Sequence, residues 1–202
     1  MLSRRFVLAA GTATLLLAAC QSTPPRPAPR PVDFSNFGPI VLNAGTIEVV
    51  DAYRPLGAKH VEGRSAVPPA EAVRRWAAER LQAAGGTANG AGRVRVTIRD
   101  ASIVEVALPT KKGITGYFSN DQAQRYDGRI EVEIAGEVPD TGNGGFRGVT
   151  RSTVTHSTTV AENISLADRE ATFLEITRRM MDDLNARLDA GIRKDLAPMV
   201  RR

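Results

Sequence analysis

Three consecutive runs of period-two hydrophobicity constrain the fold of this chain more than any other feature. From Arg93 to Leu108, the residues Val94, Val96, Ile98, Val104, Val106 and Leu108 share one parity, and Arg93, Arg95, Arg99 and Glu105 take the other. Successive side chains of a strand point to opposite faces, so this run predicts a strand with one buried face. Asp100 and Ser102 interrupt the apolar parity, which predicts a bend or bulge at Asp100-Ala101-Ser102. Arg129 to Val138 repeats the pattern, with Ile130, Val132 and Ile134 inside and Glu131 and Glu133 outside. Gly142 to Gly145 read as a hairpin turn, and Phe146 to Val160 is a third run, dense in Thr, Val and Ser. The three runs predict an antiparallel meander. One of its faces is apolar and the other charged, as in a sheet covered on one side only.

The cover comes from the flanking segments. Thr46 to Tyr53 is a further strand candidate, rich in β-branched residues, and residues 54–67 form a loop with Pro55, Gly57 and Gly63. Pro68 and Pro69 suit the first turn of a helix. Val73, Trp76, Ala77, Leu81 and Ala84 then recur at helical spacing, with Arg74, Arg75, Glu79 and Arg80 on the wet side and Gly85-Gly86 as the stop. Residues 85–92 are glycine-rich but lack the Gly-Lys-Ser/Thr of a phosphate loop, and they read as a flexible turn. Near the C-terminus, Ser165 to Asp168 read as a capping box with Asp in place of Glu. A long stripe follows: Phe173, Thr177, Met180, Met181, Leu184, Leu188, Ile192 and Leu196, stopped by Pro198. Gly191 is either a tolerated weak point or an early end. The expected fold is α+β, with element order β-α-β-β-β-α. It is a two-layer sandwich: a mainly antiparallel four-stranded sheet carries two helices on one face.

The N-terminal 20 residues point to an address. Arg4 and Arg5 precede an uncharged, mostly apolar run from Phe6 to Ala19, too short to span a bilayer core as a helix. The run ends in Leu17-Ala18-Ala19-Cys20, which resembles the lipobox of bacterial lipoproteins. That resemblance implies cleavage before Cys20, diacylglycerol on its sulfur and acylation of the new amine. Several buried acyl chains hold a protein on a membrane essentially permanently. Gln21, in place of an aspartate, implies by the same resemblance the periplasmic face of the outer membrane rather than the inner one. Ser3 to Leu8 also resembles a twin-arginine export motif, so either that route or the general one remains open. Residues 1–19 are then the signal peptide. Residues 20–40 are the lipidated cysteine and a tether in which prolines 24, 25, 27, 29 and 31 favour polyproline II. Residues 41–202 are the single α/β domain.

Composition narrows the function. Setting aside Arg4 and Arg5 leaves 25 basic against 22 acidic residues, a net charge of +3. So mild an excess, with no basic run, does not suggest nucleic-acid binding, although weak attraction to anionic headgroups fits it. Cys20 is the only cysteine, so no intrachain disulfide forms. His60 and His156 belong to no metal-ligand spacing, and no cofactor is expected. Ser152, Ser157 and Ser165 lack a nucleophile-elbow context. Asp182 and Asp183 are adjacent on a helix and diverge, so they form no acid/base dyad. A non-enzymatic role is expected.

The element order over roughly residues 46–197 resembles small periplasmic lipoproteins that assist lipopolysaccharide assembly and the auxiliary lipoproteins of lipid-transport ABC systems. No motif residue carries over with it. It implies an accessory role in envelope assembly or lipid transport through a protein partner. The alternative is a small carrier that holds an apolar ligand, such as a lipid, between sheet and helices. Thr110 to Asp127 joins two good strands with far more residues than a hairpin needs. Either Tyr117 and Phe118 fold back as a local cap, with Asn120 or Asp121 starting a short helical turn, or Lys111, Lys112, Ile114, Tyr117 and Phe118 form a docking loop for a membrane or a protein partner.

Overall fold

A computed structural model describes residues 32–85, 92–109, 122–140, 142, 144–161 and 163–201. The elements are β1 (Ile40–Leu42), β2 (Thr46–Asp51), α1 (Pro69–Arg80), β3 (Leu81–Ala83), β4 (Arg93–Ala107), β5 (Gln122–Val138), β6 (Phe146–Ala161) and α2 (Leu166–Asp195). Four strands form one sheet in the order β2-β4-β5-β6, with β2 parallel to β4 and the rest antiparallel. Both helices pack on one face of it, α1 against β4 and α2 along β6 and β5. This is the α+β sandwich that the alternation predicts.

The core is the inner parity of the strands against the helical stripes. Val94, Val96, Ile98, Ile130, Val132 and Ile134 are buried, and so is every residue of the α2 stripe from Phe173 to Leu196. Each large apolar side chain buried in this way stabilises the fold by about 1.5–3 kcal/mol before conformational entropy is charged against it. α2 starts as its sequence predicts. Ser165 is the N-cap, and its Oγ accepts a hydrogen bond from the Asp168 amide at 3.1 Å. Glycines let this helix sit close to the sheet. A Cβ on Gly128 would lie 2.6 Å from Ile176, and one on Gly191 would lie 2.3 Å from Thr150 Oγ1. The β5–β6 turn uses Gly142 and Gly144 at positive φ, and Asp140 Oδ1 accepts both of their amides.

The outer face is charged and largely self-paired. Arg95 meets Glu48, Arg99 and Arg151 share Glu133, Arg129 bridges Asp100 and Glu131, and Arg147 meets Glu137. Exposed pairs of this kind contribute little each, about 0–1 kcal/mol. Their arrangement suits a solvated sheet face.

Four expectations need correction. First, the bulge expected at Asp100-Ala101-Ser102 forms, with the β4–β5 register shifting between Ile98 and Asp100, but it overturns the single parity expected for Arg93–Leu108. One extra residue reverses the parity beyond it. Ala101 and Ile103 therefore enter the core, while Val104, Val106 and Leu108 are only half-buried. Second, α1 ends at Arg80. Leu81 is buried as its spacing predicts, but in β3, where Leu81–Ala83 pair in parallel with Ile40–Leu42. Ala84 follows this strand, with its amide on Leu42 O at 2.9 Å. Third, Arg80 is not on the wet side. It is 3 % exposed, ion-paired to Asp189, with Nε on Asn185 Oδ1 at 3.0 Å. Asn185 also accepts Trp76 Nε1 at 2.9 Å, so one amide oxygen ties the two helices together. Fourth, β5 begins at Gln122 rather than Arg129, and Tyr126 is fully buried. The connection from β4 narrows to residues 108–121.

The chain enters the domain over α1. Val32 and Phe34 are buried, the Phe34 amide donates to Glu79 Oε2 at 2.9 Å, and the Arg80 guanidinium lies 5.4 Å from the centre of the Phe37 ring.

Candidate functional site

The most differentiated surface is the end of the sheet where β4 stops, β5 starts and α2 begins. The bulge determines its chemistry. By reversing the parity, it turns Val104 and Val106 to the outer face and Glu105 inward beside Tyr126. Gln124 Nε2 donates to Glu105 Oε1 at 2.7 Å, and Tyr126 Oη donates to Gln124 Oε1 at 3.0 Å. The Tyr126 ring packs edge-on against Phe173 at 4.8 Å. Burial, more than any neighbouring charge, raises the pKa of the Tyr126 phenol.

Beyond the bulge β4 has outrun β2, so its free edge needs other partners. Residues 59–61 supply them. Val61 N donates to Ile103 O at 2.8 Å, and Glu105 N donates to Lys59 O at 2.9 Å. Glu62 Oε2 accepts the Ile103 amide at 3.2 Å. Tyr53 Oη donates its single proton to Glu62 Oε1 at 2.7 Å, which leaves its oxygen to accept from His60 Nδ1 at 2.8 Å. Burial first, and then the Glu62 hydrogen bond, hold the Tyr53 phenol far above its ordinary range. A phenol locked in the protonated state is a poor base. The cluster closes a strand edge, and His60 is a half-buried member of it.

The short helical turn Glu62–Arg64 and the first turns of α2 then enclose a depression of about 520 Å³. It is lined by Arg64, Ile164, Leu166, Arg169, Glu170 and Phe173. Leu166 is 73 % exposed, and the Arg64 guanidinium stands 3.9 Å from Glu105. A second depression of about 510 Å³ shares Ile164 and runs between the end of β6 and α2, past Thr159, Ala171, Thr172 and Glu175. These hollows open on the rim and are lined by charged and hydroxyl side chains as well as apolar ones. They are not the hollow lined by Val, Leu and Met that a carrier enclosing a lipid between sheet and helices would need.

The docking-loop residues Lys111, Lys112, Ile114, Tyr117 and Phe118, and the lipidation candidate Cys20, lie outside the described residues. The end of β4 and the start of β5 lie at this same end of the sheet, beside the Tyr126–Phe173 contact. His156 is half-buried on β6 opposite Gly128, and Asp182 pairs with Arg178 at 2.7 Å. Among the described residues there is no cluster of potential metal ligands. Sequence reasoning did not single out Arg64, Ile164, Leu166, Arg169 or Glu170. Leu166 lies seven residues before Phe173, so its spacing continues the buried α2 stripe, and only the structure shows it exposed at the helix start.

The fold class is that of a two-layer α+β sandwich with a mixed sheet. No protein-family model matches the chain, and no curated protein matches its sequence. Among solved structures, the rare lipoprotein B of Shewanella oneidensis is 14% identical, with a TM-score of 0.35 over 71% of this chain and 93% of its own. A minor lipoprotein of Acinetobacter baumannii is 13% identical, with a TM-score of 0.33 over 80% and 98%. A PelC dodecamer subunit from Paraburkholderia phytofirmans is 16% identical, with a TM-score of 0.22 over 74% and 93%. Likenesses this remote carry no argument about activity.

Proposed function

We propose that the chain is a lipid-anchored, non-catalytic accessory lipoprotein of the bacterial cell envelope. It is held at the periplasmic face of the outer membrane through Cys20 and holds a partner protein at the sheet end, in the service of envelope assembly or lipid transport. The anchor rests on the leader and on Leu17-Ala18-Ala19-Cys20. No helix among the described residues is long and apolar enough to cross a membrane. The observation that carries the partner reading is the depression with exposed Leu166 beside Ile164, rimmed by Arg64, Arg169 and Glu170. An apolar centre inside a charged rim is the anatomy of a protein-binding patch. The loop bearing Lys111, Lys112, Ile114, Tyr117 and Phe118 is proposed to extend this surface. Its aromatic residues would anchor the partner, and its lysines would speed encounter.

Two experiments test this reading. A photo-crosslinking amino acid at position 166 of the full chain in cells should yield a discrete adduct to one envelope protein, and the same probe at Glu71 on α1 should not. Equal labelling, or none, at both positions overturns the partner reading. Cys20→Ser should leave an unprocessed precursor; a mature-sized product that still partitions with membranes overturns the anchor.

A further inference from the structure

β6 is the last strand of the sheet, and none of the described residues pairs along its far side. The backbone groups that face that side follow from the ladder. Ala52 N donates to Ile98 O at 3.0 Å, so the backbone groups of Ile98 face β2. Successive residues of a strand alternate sides. Thr97 therefore faces β5, and its partner Glu133 faces β4. Val132 then faces β6, and its partner Ser152 faces β5. Thr153, and with it Val149, Arg151, Thr155, Ser157 and Thr159, turns N–H and C=O outward. A separate observation agrees: Arg187 Nη1, reaching down from α2, donates to Thr153 O at 3.1 Å.

Natural sheet edges are usually blunted by proline, bulges or charge. β6 has no proline across 16 residues, and the irregularity in its pairing lies on the β5 side, at Gln122/Gln124. Its charged residues, Arg147 and Arg151, sit toward one end and are already paired to Glu137 and Glu133. From Thr155 to Ala161 the edge carries no Asp, Glu, Lys or Arg and is rich in hydroxyl and β-branched side chains. α2 lies beside this stretch, and the depression of about 510 Å³ between them would receive alternate side chains of an added strand. Arg187 bonds a carbonyl and no carboxylate among the described residues, so the middle of the edge offers a cation without an acid.

We propose that the outer edge of β6 takes an extended segment of a partner protein as an added strand. An acidic side chain of that segment meets Arg187, and small β-branched side chains lie over Thr155 to Ala161. This surface meets the sheet-end depression around Leu166 only at Ile164, and the two proposals are tested separately.

The test uses the full chain in detergent micelles and a fluorescein-labelled peptide, Asp-Ser-Val-Thr-Val-Thr-Val. Anisotropy should saturate below ~1 mM. Amide hydrogen exchange at Thr155, Ser157 and Thr159, fast in the free protein, should slow about tenfold or more with peptide, while Val154 and Thr158 are already slow. Arg187→Glu should weaken the peptide about tenfold and favour a version with lysine in place of aspartate. Thr155→Pro removes an outward donor without touching the ladder, so it should abolish binding with the urea midpoint unchanged. Three results overturn the proposal. One is no saturable binding, and another is protection confined to residues around Leu166. The third is concentration-dependent self-association that protects the same amides without peptide, which assigns the edge to a second copy.

Discussion

Ile103→Ala and Val106→Ala together test whether the bulge sets the register of the far half of β4. A single parity through Arg93–Leu108 puts Val106 in the core and Ile103 on the wet face; the bulged strand does the opposite. Ile103 is fully buried, and Val106 is half-buried on the outer face. Truncating Ile103 removes three carbon groups at about 0.8 kcal/mol each, and the cavity left behind raises the cost to about 3–4 kcal/mol. Truncating Val106 removes two carbon groups already in partial contact with water, and costs below about 1 kcal/mol. For a domain of this size the first change lowers Tm by about 6–16 °C and the second by about 4 °C at most. Trp76 is the only tryptophan, fully buried and bonded to Asn185 across the helix pair, so its fluorescence during urea unfolding reports the loss of the helix layer. Equal costs, or a larger cost at Val106, would refute the bulged register and with it the inward placement of Glu105.

Asn185→Ala strands the Trp76 and Arg80 donors that share its oxygen, and should cost about 2–4 kcal/mol by urea midpoint. Asn185→Asp keeps an acceptor and should recover most of that. Glu175 is held down to about 2, chiefly by its hydrogen bonds to Arg178. Its contribution is complete above its ordinary 4.5 and is lost as pH falls toward about 2, so Glu175→Gln should flatten the acid limb of the stability profile. Tyr53 is shifted the other way, so what it contributes is intact below pH 10 and declines above it. Its phenolate absorbance, identified by loss in Tyr53→Phe, should appear only as the protein unfolds; ionisation near pH 10 in the folded state would contradict the Glu62 hydrogen bond.

Much of the fold was legible because the signals are local. Period-two alternation needs no partner to be read, and it placed Val96, Ile98, Ile130, Val132 and Ile134 inside. The α2 stripe needs only its own spacing, and each of its eight residues is buried. Ser165 and Asp168 cap that helix through contacts three residues apart. The leader that ends at Cys20 is likewise read from consecutive residues alone, as a proposal about address.

What only the tertiary structure decided depends on residues far apart in the chain. Leu81 continues the helical spacing of α1, yet Ile40–Leu42 offers it a parallel strand and the chain switches to β. Arg80 reads as a surface charge until Asp189, more than a hundred residues later, pairs with it from α2. The interruption at Asp100 was visible, but its consequence was not. A bulge reverses every later side chain, and whether it forms depends on how β5 pairs alongside. Glu105, Arg64, Arg169 and Leu166 therefore meet at the sheet end for reasons no local pattern contains. Periodicity reports which face a residue takes within its own element, while a site is made where the ends of several elements converge.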